Sequence, residues 1–243
     1  MDLMPSIDLE AGRAVKRIRG VRGTGLVLGD PLELAARLRD AGARWVHVVD
    51  LDGAEAGRPV HVGLVRRLKD LGLRVQYGGG LRSLDDVAAA FGAGADRVVL
   101  GSAWLRDAGF LERAASLWGD VLAALDERGG RLVGGGWTVE SGLGIEEALR
   151  MLEGVPVAGY LYTQVDVEGT LRGPDMAKVR RLRDMTSRLL IYAGGVSSLE
   201  DLRSLCEAGV DGVVVGMAIY GGGLRLEDAL ELARGCGRCR PRE

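Results

Sequence analysis

Two aspartates close apolar runs in the two halves of the chain. Asp8 lies in Pro5-Ser6-Ile7-Asp8-Leu9, and Asp126 ends Leu122-Ala123-Ala124-Leu125-Asp126. A pair of carboxyl groups can take a proton from one atom while delivering one to another. To work near neutral pH, their surroundings must push their pKa values apart. An isolated Asp is more often solvated or salt-bridged. The pair gains force because the two residues stand at matching places in a chain that repeats itself.

The repeat is carried by glycines. Gly79-Gly80-Leu81-Arg82-Ser83-Leu84 returns as Gly194-Gly195-Val196-Ser197-Ser198-Leu199, and Val98-Val99-Leu100-Gly101 returns as Val213-Val214-Val215-Gly216. The shift is 115 positions at both ends (194 − 79 and 216 − 101). Each block opens with glycines after a β-rich run and closes on Gly101-Ser102 or Gly216-Met217. Glycine lets backbone N–H groups approach an anion, and a following helix N-terminus adds a favourable dipole. A single glycine here would mean only a turn or a cap. Two blocks at a constant shift predict two phosphate sites: Gly79, Gly80, Gly101 and Ser102 in one, Gly194, Gly195, Gly216 and Met217 in the other. The implied ligand is a small molecule phosphorylated at both ends.

The elements that must position these residues alternate between short β-rich runs and amphipathic helical runs. Strands are expected at 3–9, 45–51, 73–77, 97–100, 121–125, 157–162, 189–192 and 210–215. Helices are expected at 31–41, 60–71, 83–93, 107–118, 145–152, 174–185, 199–208 and 226–233. Asp30 and Pro31 start the first helix and Gly42 ends it. Eight strand–helix units imply one (β/α)₈ barrel with a pseudo-twofold half-barrel repeat, spanning residues 1–243 as a single domain. Asp8 and Asp126 then face each other across the mouth, at the ends of strands one and five. Segments 15–18 and 132–137 read as excursions from the loops after those two strands, and 20–29 reads as a loop.

Composition sets the outer bounds. The chain has 243 residues, 47% hydrophobic and 27% charged, with a formal net charge of −2. That charge argues against general nucleic-acid binding, which needs a basic field. No apolar run reaches the roughly 18 residues of a membrane span, and Met1-Asp2-Leu3-Met4-Pro5 lacks the basic start of a secretion signal. A cytosolic protein with no membrane, nucleic-acid or obligate protein partner is expected. Its three cysteines are Cys206, Cys236 and Cys239. The lone Cys236-x-x-Cys239 pair supplies two ligands where a structural zinc site wants four. Reduced thiols are preferred there over a local disulfide or a metal site.

From Met4 to about Leu232 the sequence resembles the ProFAR isomerase family of histidine biosynthesis. The motifs that carry the resemblance are Pro5-Ser6-Ile7-Asp8-Leu9, His47-Val48-Val49-Asp50-Leu51-Asp52-Gly53-Ala54, Gln76-Tyr77-Gly78-Gly79-Gly80-Leu81-Arg82-Ser83 and Gly194-Gly195-Val196-Ser197-Ser198. The resemblance implies an Amadori rearrangement of an aminoaldose to an aminoketose. In it Asp8 is the base, Asp126 the acid and Thr163 an assisting group, without metal or organic cofactor. It also implies that Trp137 closes over the substrate, with a core Trp as the rival reading. His47 is placed near the catalytic strand ends, or is a buried, hydrogen-bonded His.

Some positions depart from the family pattern. Gln164 stands where an acid is usual. Glu168 precedes Gly169-Thr170 where Asp is usual, which leaves its contact with substrate open. Gly134-Gly135-Gly136 precedes Trp137 where an arginine is common, and Tyr192 replaces a small residue. Three alternatives compete. The sister cyclase of the same pathway shares the repeat and both aspartates, but it carries Cys-Leu-Asp where this chain has Ser6-Ile7-Asp8. A dual-substrate isomerase would also convert phosphoribosyl anthranilate. A barrel could bind phosphorylated ligands without turnover.

Overall fold

The computed structural model describes residues 1–236. The elements run β1 (Asp2–Glu10), β2 (Arg13–Ile18), β3 (Val21–Gly29), α1 (Pro31–Asp40), β4 (Trp45–Asp50), α2 (Leu51–Ala56), α3 (Gly63–Asp70), β5 (Arg74–Gly78), α4 (Leu84–Gly92), β6 (Arg97–Leu100), α5 (Ser102–Arg106) and α6 (Ala108–Trp118). They continue as β7 (Val121–Arg128), β8 (Arg131–Gly134), β9 (Val139–Glu140), α7 (Ile145–Met151), β10 (Gly159–Gln164), a 3₁₀ turn (Val165–Val167), α8 (Met176–Asp184), β11 (Leu189–Ala193), α9 (Leu199–Glu207), β12 (Gly212–Val215), α10 (Met217–Tyr220) and α11 (Leu226–Gly235).

Eight of the strands pair in parallel in the order β10-β11-β12-β1-β4-β5-β6-β7, and pairing of β7 with β10 closes the ring. The expected (β/α)₈ barrel is therefore the fold. Its parallel strands are apolar on both faces because helices cover the outside and side chains fill the inside. Val48, Tyr77, Val98, Leu125, Tyr162 and Val213 belong to the core under the helices. Met4, Trp45, Val99, Leu122, Leu161, Ile191 and Val214 fill the barrel interior. At the base, the guanidinium carbons of Arg74 and Arg97 lie 4.2 and 4.8 Å from the Trp45 ring centre.

Local sequence explains the helix starts. Asp30 caps α1 by accepting from Leu32 and Glu33 N–H, with Pro31 in the first turn. Ser83 and Ser198 form the same capping box, with Asp86 and Asp201, at the heads of α4 and α9. The helix expected from residue 60 begins only at Gly63, because the Asp50 carboxylate holds Val60 and His61 N–H at 2.7 Å each and keeps that stretch in a loop.

Two excursions leave the mouth where they were expected. The first is larger: residues 21–29, read as loop, form β3, which pairs with β2 through two register shifts. Most of β3 is exposed, so it lacks the apolar alternation by which strands are recognised. Gly25 supplies the irregularity. It has φ +83°, and a Cβ there would lie 1.9 Å from the Lys16 carbonyl oxygen. The second excursion is β8 and β9, with β8 antiparallel to β7.

The cysteine expectation is corrected. Cys236 is joined to Cys206 in a disulfide across 30 residues, with Cα atoms 6.0 Å apart. Packing of α9 against α11 brings the two together, a proximity that spacing along the chain does not reveal. Cys239 lies outside the described residues. Among the described residues no helix is long and apolar enough to cross a membrane.

Candidate active site

The site is built from strand ends outward. Asp8 sits near the end of β1, opposite Val49 of β4 and Val15 of β2. That antiparallel neighbour strand swings Lys16 over the barrel mouth. The Lys16 ammonium donates to Asp8 Oδ2 at 2.7 Å and to Ser6 Oγ at 2.8 Å, and all three side chains are buried. The other oxygen, Asp8 Oδ1, is buried with no hydrogen-bond partner among the described residues. Burial by itself lowers the Lys16 pKa, but attraction to Asp8 and Glu168 outweighs it, so the pKa is raised and the ammonium stays charged. One carboxylate oxygen is thus held by a cation and the other keeps its lone pairs.

Asp126 lies beside Thr163 in the pairing of β7 with β10. Burial raises its pKa, and hydrogen bonds from Thr163 and Trp137 only partly offset this. It therefore tends to hold its proton, whereas Asp8 has an ammonium beside it. Glu168 follows the 3₁₀ turn. Its pKa is raised by burial; Lys16 opposes the rise, and the nearby charges of Asp8 and Asp126 add to it. The charges of Asp8, Lys16 and Asp126 all act on Glu168, and Lys16 touches Asp8 directly.

Backbone conformations repeat where the sequence does. Gly79 and Gly194 both have φ +112°, and Gly80 and Gly195 have φ +78° and +69°. A Cβ on Gly79 would stand 2.2 Å from the Asp50 carbonyl oxygen; on Gly194, 2.6 Å from that of Gln164. Gly101 and Gly216 adopt similar backbone angles (−102°, −104° and −127°, −91°) at the heads of α5 and α10. The glycines thus form two cradles, one after β5 and β6 and one after β11 and β12. A small cavity occupies the second, lined by Glu168, Gly169, Gly194, Gly195, Gly216 and Met217. Lys16 borders it: a Cβ on Gly216 would lie 2.7 Å from Lys16 Cε and 2.8 Å from its Nζ. In the first cradle, Ser102 Oγ accepts from Gly135 N–H at 2.6 Å.

The excursions roof the chamber. Gly135, Gly136 and Trp137 all have φ near +60 to +70°, at 61°, 66° and 69°. Left-handed backbone favours glycine, which accounts for Gly135 and Gly136 before Trp137. Arg128 Nη1 donates to the Trp137 carbonyl at 2.8 Å. The Trp137 ring rests on Gly20, where a Cβ would come within 2.9 Å of ring carbon Cε3. Arg19 N–H reaches the Glu168 carbonyl at 3.3 Å, so three loops meet over the mouth.

Asp8, Asp126, Thr163, Trp137 and Glu168 therefore converge. His47 lies below them in the barrel interior, with Nδ1 2.9 Å from Gln76 Nε2. Burial, with Lys16 adding to it, lowers its pKa to about 3, so it is neutral. Its place is that of the buried, hydrogen-bonded histidine. Lys16 and Ser6 were missed as site residues. The usable signal was a lysine in an excursion of a chain whose cations are nearly all arginine. A separate cavity of about 440 Å³ opens outside the barrel between α7 and α8, lined by Glu127, Arg131, Tyr162, Lys178 and Arg181 among others; it contains none of the predicted site residues.

Comparison with known proteins shows the family. A family model described as "Histidine biosynthesis protein" matches residues 2–225. A protein of Pyrobaculum aerophilum is 45% identical over 230 residues, covering 92% of this chain and 97% of its own length. Proteins of Methanothrix thermoacetophila and Thermococcus kodakarensis are each 41% identical, over 237 and 235 residues, covering 96% of this chain and 98% of their own length. All three are named as isomerases of an imidazole-4-carboxamide bearing two 5-phosphoribosyl groups.

Proposed function

Because the chain belongs to the histidine biosynthesis protein family, we propose how its own residues divide the family's isomerisation between them. The chain is an aldose–ketose isomerase of histidine biosynthesis. Its substrate on this reading is the bis-phosphoribosyl imidazole carboxamide for which its relatives are named, met in the cytosol. The two glycine cradles hold the two phosphates, and binding energy at both ends fixes the reacting sugar over the chamber.

Asp126 gives its proton to the ring oxygen of the aminoaldose. The C1–O bond breaks, and the nitrogen lone pair forms the C1=N Schiff base. Asp8 Oδ1 then takes the proton from C2. The electron pair released moves into C1=C2 and neutralises the iminium, giving the enolamine. Proton return to C1 and loss of the O2 proton complete the aminoketose. Thr163 holds the Asp126 carboxyl by hydrogen bonding, and Trp137 covers it and keeps water out. Glu168, whose pKa burial raises, is placed to meet the sugar hydroxyls.

The observation that carries this assignment is the unequal setting of the two carboxyls: Asp8 with an ammonium on one oxygen and no hydrogen-bond partner on the other among the described residues, Asp126 buried with neutral donors. The test is turnover of the native chain against Asp8→Asn. Loss of a general base predicts a fall in kcat of about 10²–10⁴-fold. Equal rates would reject Asp8 as the base, and absence of isomerase activity from the native chain would reject the function.

A further inference from the structure

Two positions that depart from the family pattern, Gln164 and Tyr192, touch each other. Tyr192 Oη lies 3.0 Å from Gln164 Oε1 and 2.7 Å from the Gly194 carbonyl oxygen, and its one proton is shared between these two acceptors. The orientation of the Gln164 carboxamide is set by the backbone of Asp175: its Oε1 accepts from Asp175 N–H at 2.7 Å, and its Nε2 donates to the Asp175 carbonyl at 3.0 Å. Nε2 also reaches Tyr162 Oη at 3.3 Å, and that hydroxyl donates to Glu127. Every group in this buried cluster is satisfied.

The first half has a counterpart. Tyr77, two residues before Gly79 as Tyr192 is before Gly194, donates to Asp50 Oδ2 at 2.7 Å. Asp50 ends β4 as Gln164 ends β10, and the backbone of each lies directly under the φ +112° glycine. The acceptor differs for a physical reason. Asp50 is surrounded by donors: the N–H groups of Gly53, Val60 and His61 and the Tyr77 hydroxyl. Position 164 must also donate, to the Asp175 carbonyl, and it stands next to a tyrosine whose proton is committed to a buried glutamate. A carboxylate there would face a carbonyl oxygen and add a second buried charge.

We infer that Gln164 and Tyr192 act together as a positioning brace that sets the Gly194 carbonyl and so aims the Gly194–Gly195 amides at one phosphate of the substrate. This rests on the reading of that loop as a phosphate site. It explains the two departures as one device, since a small residue at 192 would leave the amide and the Gly194 carbonyl unlinked.

The test uses the full chain, with inorganic phosphate as the probe and glycine amide NMR signals as the readout. Tyr192→Phe weakens phosphate binding at Gly194 and Gly195 by about tenfold, the value of roughly one lost hydrogen bond, and leaves the response of Gly79 and Gly80 unchanged. Tyr77→Phe does the reverse. With substrate, Tyr192→Phe raises KM while kcat changes by less than about threefold, as removal of uniform binding requires. Gln164→Glu weakens the second site more at about pH 8 than at about pH 5.5, because the protonated acid regains the donor that its ionised form lacks. Unchanged phosphate affinity in Tyr192→Phe, equal loss at both sites, or a pH-independent effect of Gln164→Glu would each overturn the brace. Should Gln164→Glu not fold, Tyr192→Phe decides. Phosphate titration needs no turnover, so an inactive native chain would refute the function and leave the brace to be judged on its own.

Discussion

Asp8 and Asp126 occupy matching strand ends in the two halves of the barrel, yet their neighbours are opposites. The excursion after β1 returns along β1 itself and delivers an ammonium 2.7 Å from Asp8. The excursion after β7 carries Gly135 and Gly136 through left-handed turns and delivers an indole to Asp126. A cation favours the ionised carboxylate; burial favours the protonated one, and the donors from Thr163 and Trp137 offset that only in part. The scaffold places the two acids at equivalent strand ends, and the excursions give them different neighbours, the difference on which the proposed division into base and acid rests.

Removing the acid side of this contrast has the largest effect: Asp126→Asn lowers kcat by about 10²–10⁴-fold in steady-state assays. Removing the cation is next. Lys16→Met leaves a buried carboxylate unpaired and destabilises the fold by about 3–5 kcal/mol in denaturant titrations. It also lowers kcat, because the carboxylate loses the ammonium that holds its Oδ2 in place. Cys236→Ser bears on the far side of the comparison. Opening a 30-residue loop costs about 3–4 kcal/mol of stability and lowers Tm, while both pH limbs stay where they were; a shift in either would mean that the barrel wall and the mouth are coupled. The smallest effect is that of Trp137→Phe, a loss of at most about tenfold in kcat/KM for one missing hydrogen bond. Since the indole lowers the Asp126 pKa, its removal moves the high-pH limb to higher pH. A shift of that limb to lower pH in Trp137→Phe would break the role given to Asp126.

Much of this was legible beforehand. The alternation of β-rich and helical runs, the 115-residue shift and the capping serines state the barrel and its two glycine cradles, because each depends on local periodicity or on backbone freedom at glycine. Thr163 falls beside Asp126 as the strand order requires. What escaped was of another kind. Residues 21–29 form a strand without an apolar face, which periodicity cannot detect. Lys16 looked like one more cation on a surface excursion until β2 folded back on β1. His47 sat near the right strand ends but one layer too deep, and depth is set by the side-chain layers of a closed barrel. Cys206 and Cys236 are neighbours only because α9 packs on α11.

By itself the sequence determined the eight-unit barrel, its internal duplication, the pair of aspartates and the glycines whose conformations no other residue adopts easily. These are properties of short segments, governed by steric limits and hydrophobic spacing that act within about ten residues of chain. The tertiary structure alone decided which aspartate meets a cation, which meets an indole, and that an amide at 164 finds a tyrosine at 192. Charge, burial and hydrogen bonding act through space, and the partners they join here are brought together only when the barrel closes and its excursions fold over the mouth.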